Sequence, residues 1–241
     1  MKLLPLKPFR ATTNDFFVLT ADEDKYLVKL YRGPSAQQRR DQERRRLHQW
    51  TGNGYLAPRV NDIVVPELRD ESYLVMSFIE GISLREYLCR DNNDRGKKWN
   101  CLKTFFQQNS LRHQRAIKEN NPDLLHYDAN TGNVICAADG FYFIDFETID
   151  PHHNVVESTA VEAATMCRWI VRDLGRTSLD KVVEIMASSY QNQQDLLQII
   201  VQRTTARPGQ FYHRWRDRQR KRKNPQEITK YDIADVLAKI L

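Results

Sequence analysis

The spacing of the apolar residues changes at Gly81, and this change constrains the fold more than any other feature. Before Gly81, short runs rich in aromatic and β-branched residues predict strands at 16–20, 26–31, 61–65 and 72–79. After it, apolar residues recur with helical spacing, as in 99–118 and 158–174. We therefore predict an α+β chain with two lobes. The first, 1–80, holds a small antiparallel sheet with one helix, and the second, 81–241, is mostly helical.

The single helix predicted in the first lobe, 36–50, is densely charged. Ser35 precedes it and is expected to act as its N-cap. Leu47 and Trp50 share one face of this helix, with Glu43 one turn earlier. Most of the remaining surface of this helix is expected to face water, because its apolar content is low.

Composition narrows the possible classes of protein. Of the 241 residues, 41% are hydrophobic, which is enough for a packed core. The four cysteines are widely spaced and form no C-x-x-C pair, so neither a zinc site nor a disulfide framework is predicted. The net charge of +6 favours anionic partners.

The first residues do not resemble a signal peptide, because their apolar run is short and contains Pro5. No stretch approaches the roughly 20 apolar residues that a membrane span needs. We expect a cytoplasmic protein, with peripheral contact at the inner face of the membrane as an alternative.

Two segments in the second half carry oxygen-bearing side chains at close intervals. Asp128 and Asn133 lie five residues apart, ahead of the predicted strand 134–137. Asp145 follows at the end of a second strand, 141–146, and the Asp139–Gly140 pair predicts a hairpin turn between the strands. This hairpin would bring Asn133 and Asp145 side by side. Three such oxygen donors suit a hard cation such as Mg²⁺, which phosphoryl transfer requires.

These motifs resemble those of the protein-kinase-like superfamily. The run His-Tyr-Asp-Ala-Asn-Thr-Gly-Asn ending at Asn133 is similar to its H-x-D-x-x-x-x-N catalytic loop, and Ile-Asp-Phe-Glu at 144–147 is similar to its D-F-G segment. The resemblance implies a two-lobed protein-kinase-like fold that uses ATP and Mg²⁺. It assigns Asp128 as the catalytic base and Asn133 and Asp145 as metal ligands. His126 is expected to support the loop.

The resemblance extends to the nucleotide-binding residues. Lys29, in Val-Lys-Leu-Tyr, is similar to the strand lysine that binds the α- and β-phosphates, and Glu43 matches the helix glutamate that pairs with it. Met76 and Phe78 lie in the segment that resembles the adenine-binding hinge. The phosphate loop falls near 9–15 but contains no glycine, so the hydroxyls of Thr12 and Thr13 are expected to assist there. Glu147 replaces the usual glycine of D-F-G.

The relatives that this pattern resembles differ in their acceptors. They are the lipopolysaccharide core sugar kinases, the aminoglycoside and choline phosphotransferases, and small atypical protein kinases such as the RIO group. A phosphotransferase acting on a hydroxyl of a sugar or lipopolysaccharide core glycan is the main interpretation. The alternatives are an atypical Ser/Thr protein kinase or ATPase acting in a complex, and a catalytically silent kinase-like binding module.

Two further groups of charges lie outside these motifs. The basic segment Arg214–Lys223, with aromatic residues beside it, has two interpretations: a solvated helix face, or a surface for an anionic membrane or RNA. Glu157 and Glu162 are interpreted as helix-start charges that complement a helix dipole.

Overall fold

The chain divides into two compact units. A computed structural model describes residues 1–6, 13–90, 94–148, 154–205 and 210–241. The first unit comprises Met1–Ile82 and Ile135–Ile149, and the second comprises Ser83–Val134 and Asp150–Leu241. The predicted lobe boundary differs in one respect, because the hairpin around Gly140 was assigned to the second lobe and clusters with the first unit.

An antiparallel five-stranded sheet forms most of the first unit. Its order is β1-β2-β3-β5-β4. The strands are β1 Lys2–Leu6, β2 Asp15–Ala21, β3 Asp24–Leu30, β4 Val60–Asn61 and β5 Tyr73–Ser77. The predicted hairpin of β2 and β3 is confirmed, with Phe16 opposite Lys29. Strand β1 was not expected, since it contains Pro5, but it lies at the sheet edge, where proline is tolerated.

The predicted strand 61–65 is shorter than expected. Only Val60–Asn61 pairs with β5, because the following backbone N–H groups bind side chains instead of a neighbouring strand. The N–H of Ile63 donates to Asn61 Oδ1 at 3.0 Å, and that of Val65 donates to the Tyr73 hydroxyl at 3.1 Å. Val65 is nevertheless buried in the core of the sheet with Leu19 and Val28.

The helix of the first unit, α1 Ala36–Gly52, packs with more than its apolar face. Leu47 and Trp50 are buried as predicted, and so are Glu43 and Arg46. Arg46 is fully buried, although most of the surface of this helix was expected to face water. Ser35 makes no side-chain capping bond.

A three-stranded sheet follows in the order β6-β7-β8. Its strands are β6 Ile82–Ser83, β7 Val134–Ala137 and β8 Gly140–Phe143. The predicted turn is confirmed, since Gly140 has a φ of +148°. The Trp50 ring packs on this hairpin, with its centroid 5.1 Å from that of Phe143. Position 81 requires glycine because the backbone of Cys136 passes close to it. A Cβ at Gly81 would lie 2.5 Å from the Cys136 carbonyl oxygen.

The second unit is mostly helical, as predicted. Its helices are α2 Leu84–Cys89, α3 Arg95–Glu119, α4 Val155–Leu174, α5 Leu179–Ser189, α6 Gln194–Thr205, α7 Gln210–Lys223 and α8 Lys230–Ile240. Helix α3 begins four residues earlier than predicted, because Asp94 caps it by accepting from the Gly96 N–H. In the ranges given above, no helix combines the length and apolar character needed to cross a bilayer.

Candidate active site

Lys29 lies among carboxylates in the first unit. Its side chain is 3% exposed, and its Nζ is 2.7 Å from Glu43 Oε2 and 2.7 Å from Asp145 Oδ1. Glu147 Oε2 is 3.6 Å away. Burial alone would lower the pKa of Lys29, but the attraction of Glu43, Asp145 and Glu147 outweighs it and raises the pKa above its usual value. The lysine is therefore a buried, permanently charged ammonium at neutral pH.

Glu43 divides its two oxygens between different partners. Oε2 accepts hydrogen bonds from Lys29 and from the Tyr31 hydroxyl, the latter at 2.6 Å. Oε1 accepts from the backbone N–H of Phe146 at 3.1 Å. Burial and the nearby Glu43 carboxylate raise the pKa of Tyr31, which keeps its hydroxyl a donor. Sequence reasoning gave Tyr31 no role, and its position two residues after Lys29 was the available signal.

The segment after β8 is held in an unusual conformation. Asp145 has a φ of +67°, in the left-handed region that non-glycine residues seldom adopt. The predicted strand 141–146 therefore ends at Phe143, because this backbone cannot continue a strand. Arg46 donates to the Thr148 carbonyl at 3.3 Å, and its guanidinium lies 5.2 Å from the centroid of the Phe146 ring. These contacts fix the backbone on the C-terminal side of Asp145.

Glu147 joins a second group that the sequence did not predict. Arg39 Nη1 donates to its Oε2 at 2.9 Å, and Asn14 Nδ2 donates to the same oxygen at 3.1 Å. Arg39 also donates to Asn14 Oδ1 at 3.0 Å. The backbone just before β2 is thus tied to the segment that follows Asp145. The only signal in the sequence was the glutamate in place of the glycine of D-F-G.

The other residues predicted to bind nucleotide lie at the sheet or next to it. Met76 is buried in β5 opposite Leu27, so its side chain belongs to the sheet. Phe78 follows β5, and its N–H donates to the Lys25 carbonyl at 3.4 Å. Thr13 is exposed, and Thr12 lies outside the described residues.

Asp128 and Asn133 meet in the second unit. Asn133 Nδ2 donates to Asp128 Oδ2 at 2.8 Å and to the Asp128 carbonyl at 3.0 Å. Asn130 supports the same loop, since its Oδ1 accepts from the Gly132 N–H at 2.9 Å. The Asp128 side chain is exposed, whereas its neighbour Ala129 is buried. The loop thus presents one carboxylate to solvent from a well-bonded backbone.

A buried ion pair anchors the start of this loop. Glu162 Oε2 accepts from the His126 N–H at 2.8 Å, and Glu162 is paired with Arg112, which also donates to the Leu124 carbonyl. The helix-start interpretation of Glu162 is therefore wrong, because it lies inside α4 at 5% exposure. Glu157 does lie in the first turn of α4.

The charges in this pair are set by their surroundings. Burial would raise the pKa of Glu162, but Arg112 and His113 lower it well below its usual value. Burial lowers the pKa of His113, whose Nδ1 lies 2.7 Å from the Tyr190 hydroxyl. The cluster is thus a carboxylate with an arginine and a neutral histidine.

The predicted site residues therefore form two groups, each within one unit. Lys29, Glu43 and Asp145 meet in the first, and Asp128 and Asn133 meet in the second. Carboxylate oxygens of Glu43, Asp145 and Glu147 lie within 4.8 Å of one another, close enough to share a cation. The Lys29 ammonium already supplies that positive charge.

The basic segment forms helix α7, and its cations have two kinds of surroundings. Arg214 pairs with Asp235 at 2.8 Å, and Lys221 pairs with Asp217 at 2.7 Å. Other side chains on the helix are exposed: Phe211, Tyr212, Trp215, Arg216, Arg218, Arg220, Arg222 and Lys223. The segment is thus partly a set of ion pairs and partly an open basic and aromatic surface.

The chain is similar to one family of known proteins and to solved structures. The APH family model, described as a phosphotransferase enzyme family, matches residues 5–100. Two crystal structures of the Mycobacterium tuberculosis PknI kinase domain are similar at 14% identity. One has a TM-score of 0.45 and covers 71% of this chain and 70% of that chain. The other, a point mutant, has a TM-score of 0.43 and covers 68% and 72%. No curated protein sequence matches the chain.

Proposed function

We propose that this protein is an ATP- and Mg²⁺-dependent phosphotransferase of the protein-kinase-like superfamily. The observation that carries the proposal is the buried Lys29 ammonium, 2.7 Å from both Glu43 and Asp145. A desolvated charge held by two carboxylates is costly for a merely structural role, since such pairs contribute little net stability. The same arrangement suits a group that binds phosphate oxygens. The match of residues 5–100 to a phosphotransferase family supports it.

In this proposal Lys29 binds the α- and β-phosphates of ATP. Glu43 holds the ammonium in place, and the Tyr31 hydroxyl fixes the orientation of the Glu43 carboxylate. Backbone groups at Met76 and Phe78 bind the adenine, and Thr12 and Thr13 contact the phosphates. Preorganisation of these charges lowers the barrier because little rearrangement is needed during transfer.

Asn133 and Asp145 are the proposed ligands of Mg²⁺. The donor chemistry fits, since both offer oxygen atoms, which hard cations prefer. Asn133 uses its Nδ2 to donate to Asp128, which leaves its Oδ1 for a ligand. The side chain of Asp145 is 37% exposed and so is open to a ligand. When bound, the ion neutralises charge on the phosphate oxygens.

Asp128 is the proposed catalytic base. Its exposed carboxylate receives the proton of an acceptor hydroxyl, while Asn133 keeps it oriented. The acceptor oxygen forms a bond to the γ-phosphorus as the bond to the ADP oxygen breaks. The products are ADP, the phosphate ester and a proton that leaves through Asp128.

A sugar hydroxyl, in particular that of a lipopolysaccharide core glycan, is the proposed acceptor. This choice rests on the resemblance and on the basic surface, and it fails if the protein phosphorylates proteins readily but never glycans. Contact of Arg214–Lys223 with an anionic membrane or RNA is a further proposal, supported by the exposed arginines of α7. A cytoplasmic location, with peripheral membrane contact, goes with it.

The first test measures ATP binding by thermal shift and ATP turnover by phosphorus NMR, with Mg²⁺ present. Wild type is compared with Asp145→Asn and with Asp139→Asn. The second variant is a control on the same hairpin, where the exposed Asp139 carboxylate accepts a hydrogen bond from the Tyr142 hydroxyl. We expect wild type and the control to bind and slowly hydrolyse ATP, and Asp145→Asn to lose turnover. If wild type responds to neither ATP nor Mg²⁺, the silent binding module becomes the better interpretation. Phosphorylation confined to protein substrates would favour the atypical kinase.

A further inference from the structure

A cavity of about 280 Å³ lies in the second unit, apart from the residues discussed above. Helices α4, α6 and the start of α8 enclose it. Its floor is formed by small and apolar side chains, including the buried Ala160 and Ile200. Its volume is near the lower end of small-molecule sites, which suits a ligand of about one sugar ring.

The polar groups that line this cavity are mainly cationic. Arg168, Arg203 and Lys230 line it, and among the lining residues that the structure describes none is acidic. Arg203 also forms an ion pair with Glu157 at 2.6 Å, and Glu157 does not line the cavity. The cavity therefore has a positive potential above an apolar floor.

Arg168 is the most informative of these cations. It is half-buried, and within the described ranges no carboxylate forms an ion pair with it. Burial and the nearby Arg172 lower its pKa, and Glu227 only partly offsets them. A partly desolvated guanidinium without an ion-pair partner is costly to the fold, and an anionic ligand would remove that cost.

A second cavity of about 170 Å³ shares Lys230 with the first. Its lining includes Arg216 and Arg220 from α7. Asp217 also lines it, but its carboxylate is paired with Lys221 at 2.7 Å. The same lysine thus lines both cationic cavities.

We propose that these two cavities together bind one ligand, which carries two phosphate groups on a sugar or glycerol backbone. One phosphate is bound by Arg168, Arg203 and Lys230, and the other by Lys230, Arg216 and Arg220. The carbon backbone packs on the apolar floor formed by α4 and α6. Arginine forks match phosphate geometry, and a single monoanion would leave one cavity uncompensated. This site is independent of ATP hydrolysis and of the proposed function.

The test measures binding of fructose bisphosphate, fructose monophosphate and fructose by calorimetry, without nucleotide or metal. We expect the bisphosphate to bind most tightly and fructose not at all. Arg168→Gln and Lys230→Gln should each weaken binding by about tenfold, the loss expected for a charge-assisted hydrogen bond. Arg95→Gln is the matched control, since Arg95 is exposed at the start of α3, lies outside the basic segment and lines neither cavity. It should change affinity by no more than about twofold.

A second arm distinguishes a soluble phosphate ester from a lipid headgroup. Sedimentation with cardiolipin vesicles, whose lipid carries two phosphates on a glycerol backbone, is compared with sedimentation with phosphatidylcholine vesicles for the same variants. If Arg168→Gln and Lys230→Gln selectively weaken binding in either arm, the site is supported, and the arm that responds shows whether the ligand is a soluble ester or a lipid headgroup. The proposal is overturned if neither probe binds, or if Arg95→Gln weakens both as much as Arg168→Gln. It is also overturned if bisphosphate binding is lost in Lys29→Met but retained in Arg168→Gln.

Discussion

Asn133 donates its side-chain amide to both the carboxylate and the main-chain carbonyl of Asp128, at 2.8 and 3.0 Å. The amide therefore fixes the direction of the carboxylate and leaves its own oxygen available. Asn133 thus orders both the loop backbone and the side chain of Asp128. This arrangement is expected of a base that must meet a hydroxyl in one orientation.

Asp128→Asn should abolish most phosphoryl transfer while preserving ATP binding. The variant keeps the shape of the side chain but cannot accept a proton, so we expect kcat to fall by about 10²–10⁴-fold. Steady-state kinetics and thermal shift with ATP would check this. A kcat within a few-fold of that of the Asp139→Asn control would remove Asp128 from the mechanism.

Lys29→Met should remove both activity and stability, and a second substitution separates the two. Methionine leaves the buried Glu43 without its cation, which should destabilise the protein by about 3 kcal/mol. Lys29→Met with Glu43→Gln should recover part of that stability but no ATP turnover. Chemical denaturation and phosphorus NMR measure the two quantities. Recovery of turnover in the double variant would argue against a phosphate-binding lysine.

Acid should weaken the second unit through Glu162. Its pKa is lowered in the folded protein, so its stabilising effect is complete above the unfolded value of 4.5 and is lost as pH falls toward the folded value. Glu162→Gln should lower stability at neutral pH by about 3–5 kcal/mol, because Arg112 is left buried and unpaired. Its stability should also change less than that of wild type as pH falls below 4.5. Thermal denaturation over this pH range measures both effects, and parallel pH curves would contradict the assignment.

Gly81→Ala should destabilise the protein, whereas Gly52→Ala should not. A Cβ at Gly81 would meet the Cys136 carbonyl oxygen at 2.5 Å, and backbone cannot move aside cheaply. We expect a loss of about 1–3 kcal/mol. At Gly52, the last residue of α1, nothing lies within 4 Å of the added methyl group, so stability should be unchanged or slightly higher. Equal thermal midpoints for the two variants would refute the close-approach argument.

Much of the fold followed from the sequence because local signals agreed with one another. The β2–β3 hairpin, the turn at Gly140 and the helical second unit were all predicted from spacing and turn residues. Strand β1 was missed because Pro5 weakens the local strand signal, and only its position at the sheet edge makes the proline tolerable.

Contacts between side chains at the site could be predicted from the sequence only where a family motif includes both residues. The Lys29–Glu43 pairing came from the resemblance, and the two side chains do form an ion pair. The contacts of Asn14 and Arg39 with Glu147 were missed, because they join segments more than 100 residues apart. The burial of Arg46 was missed for a related reason, since an arginine among arginines gives no sign of which one turns inward.

Because the two carboxylate oxygens of Glu43 bind different partners, the length of this side chain matters as well as its charge. One oxygen reaches the strand lysine and the other reaches the main chain beside Asp145. An aspartate would keep the charge, but it is one methylene too short to span both partners from the same helix position. Glu43 therefore works as a spacer of fixed length between α1 and the aspartate segment, so the conservative substitution should disturb the site nearly as much as a neutral one.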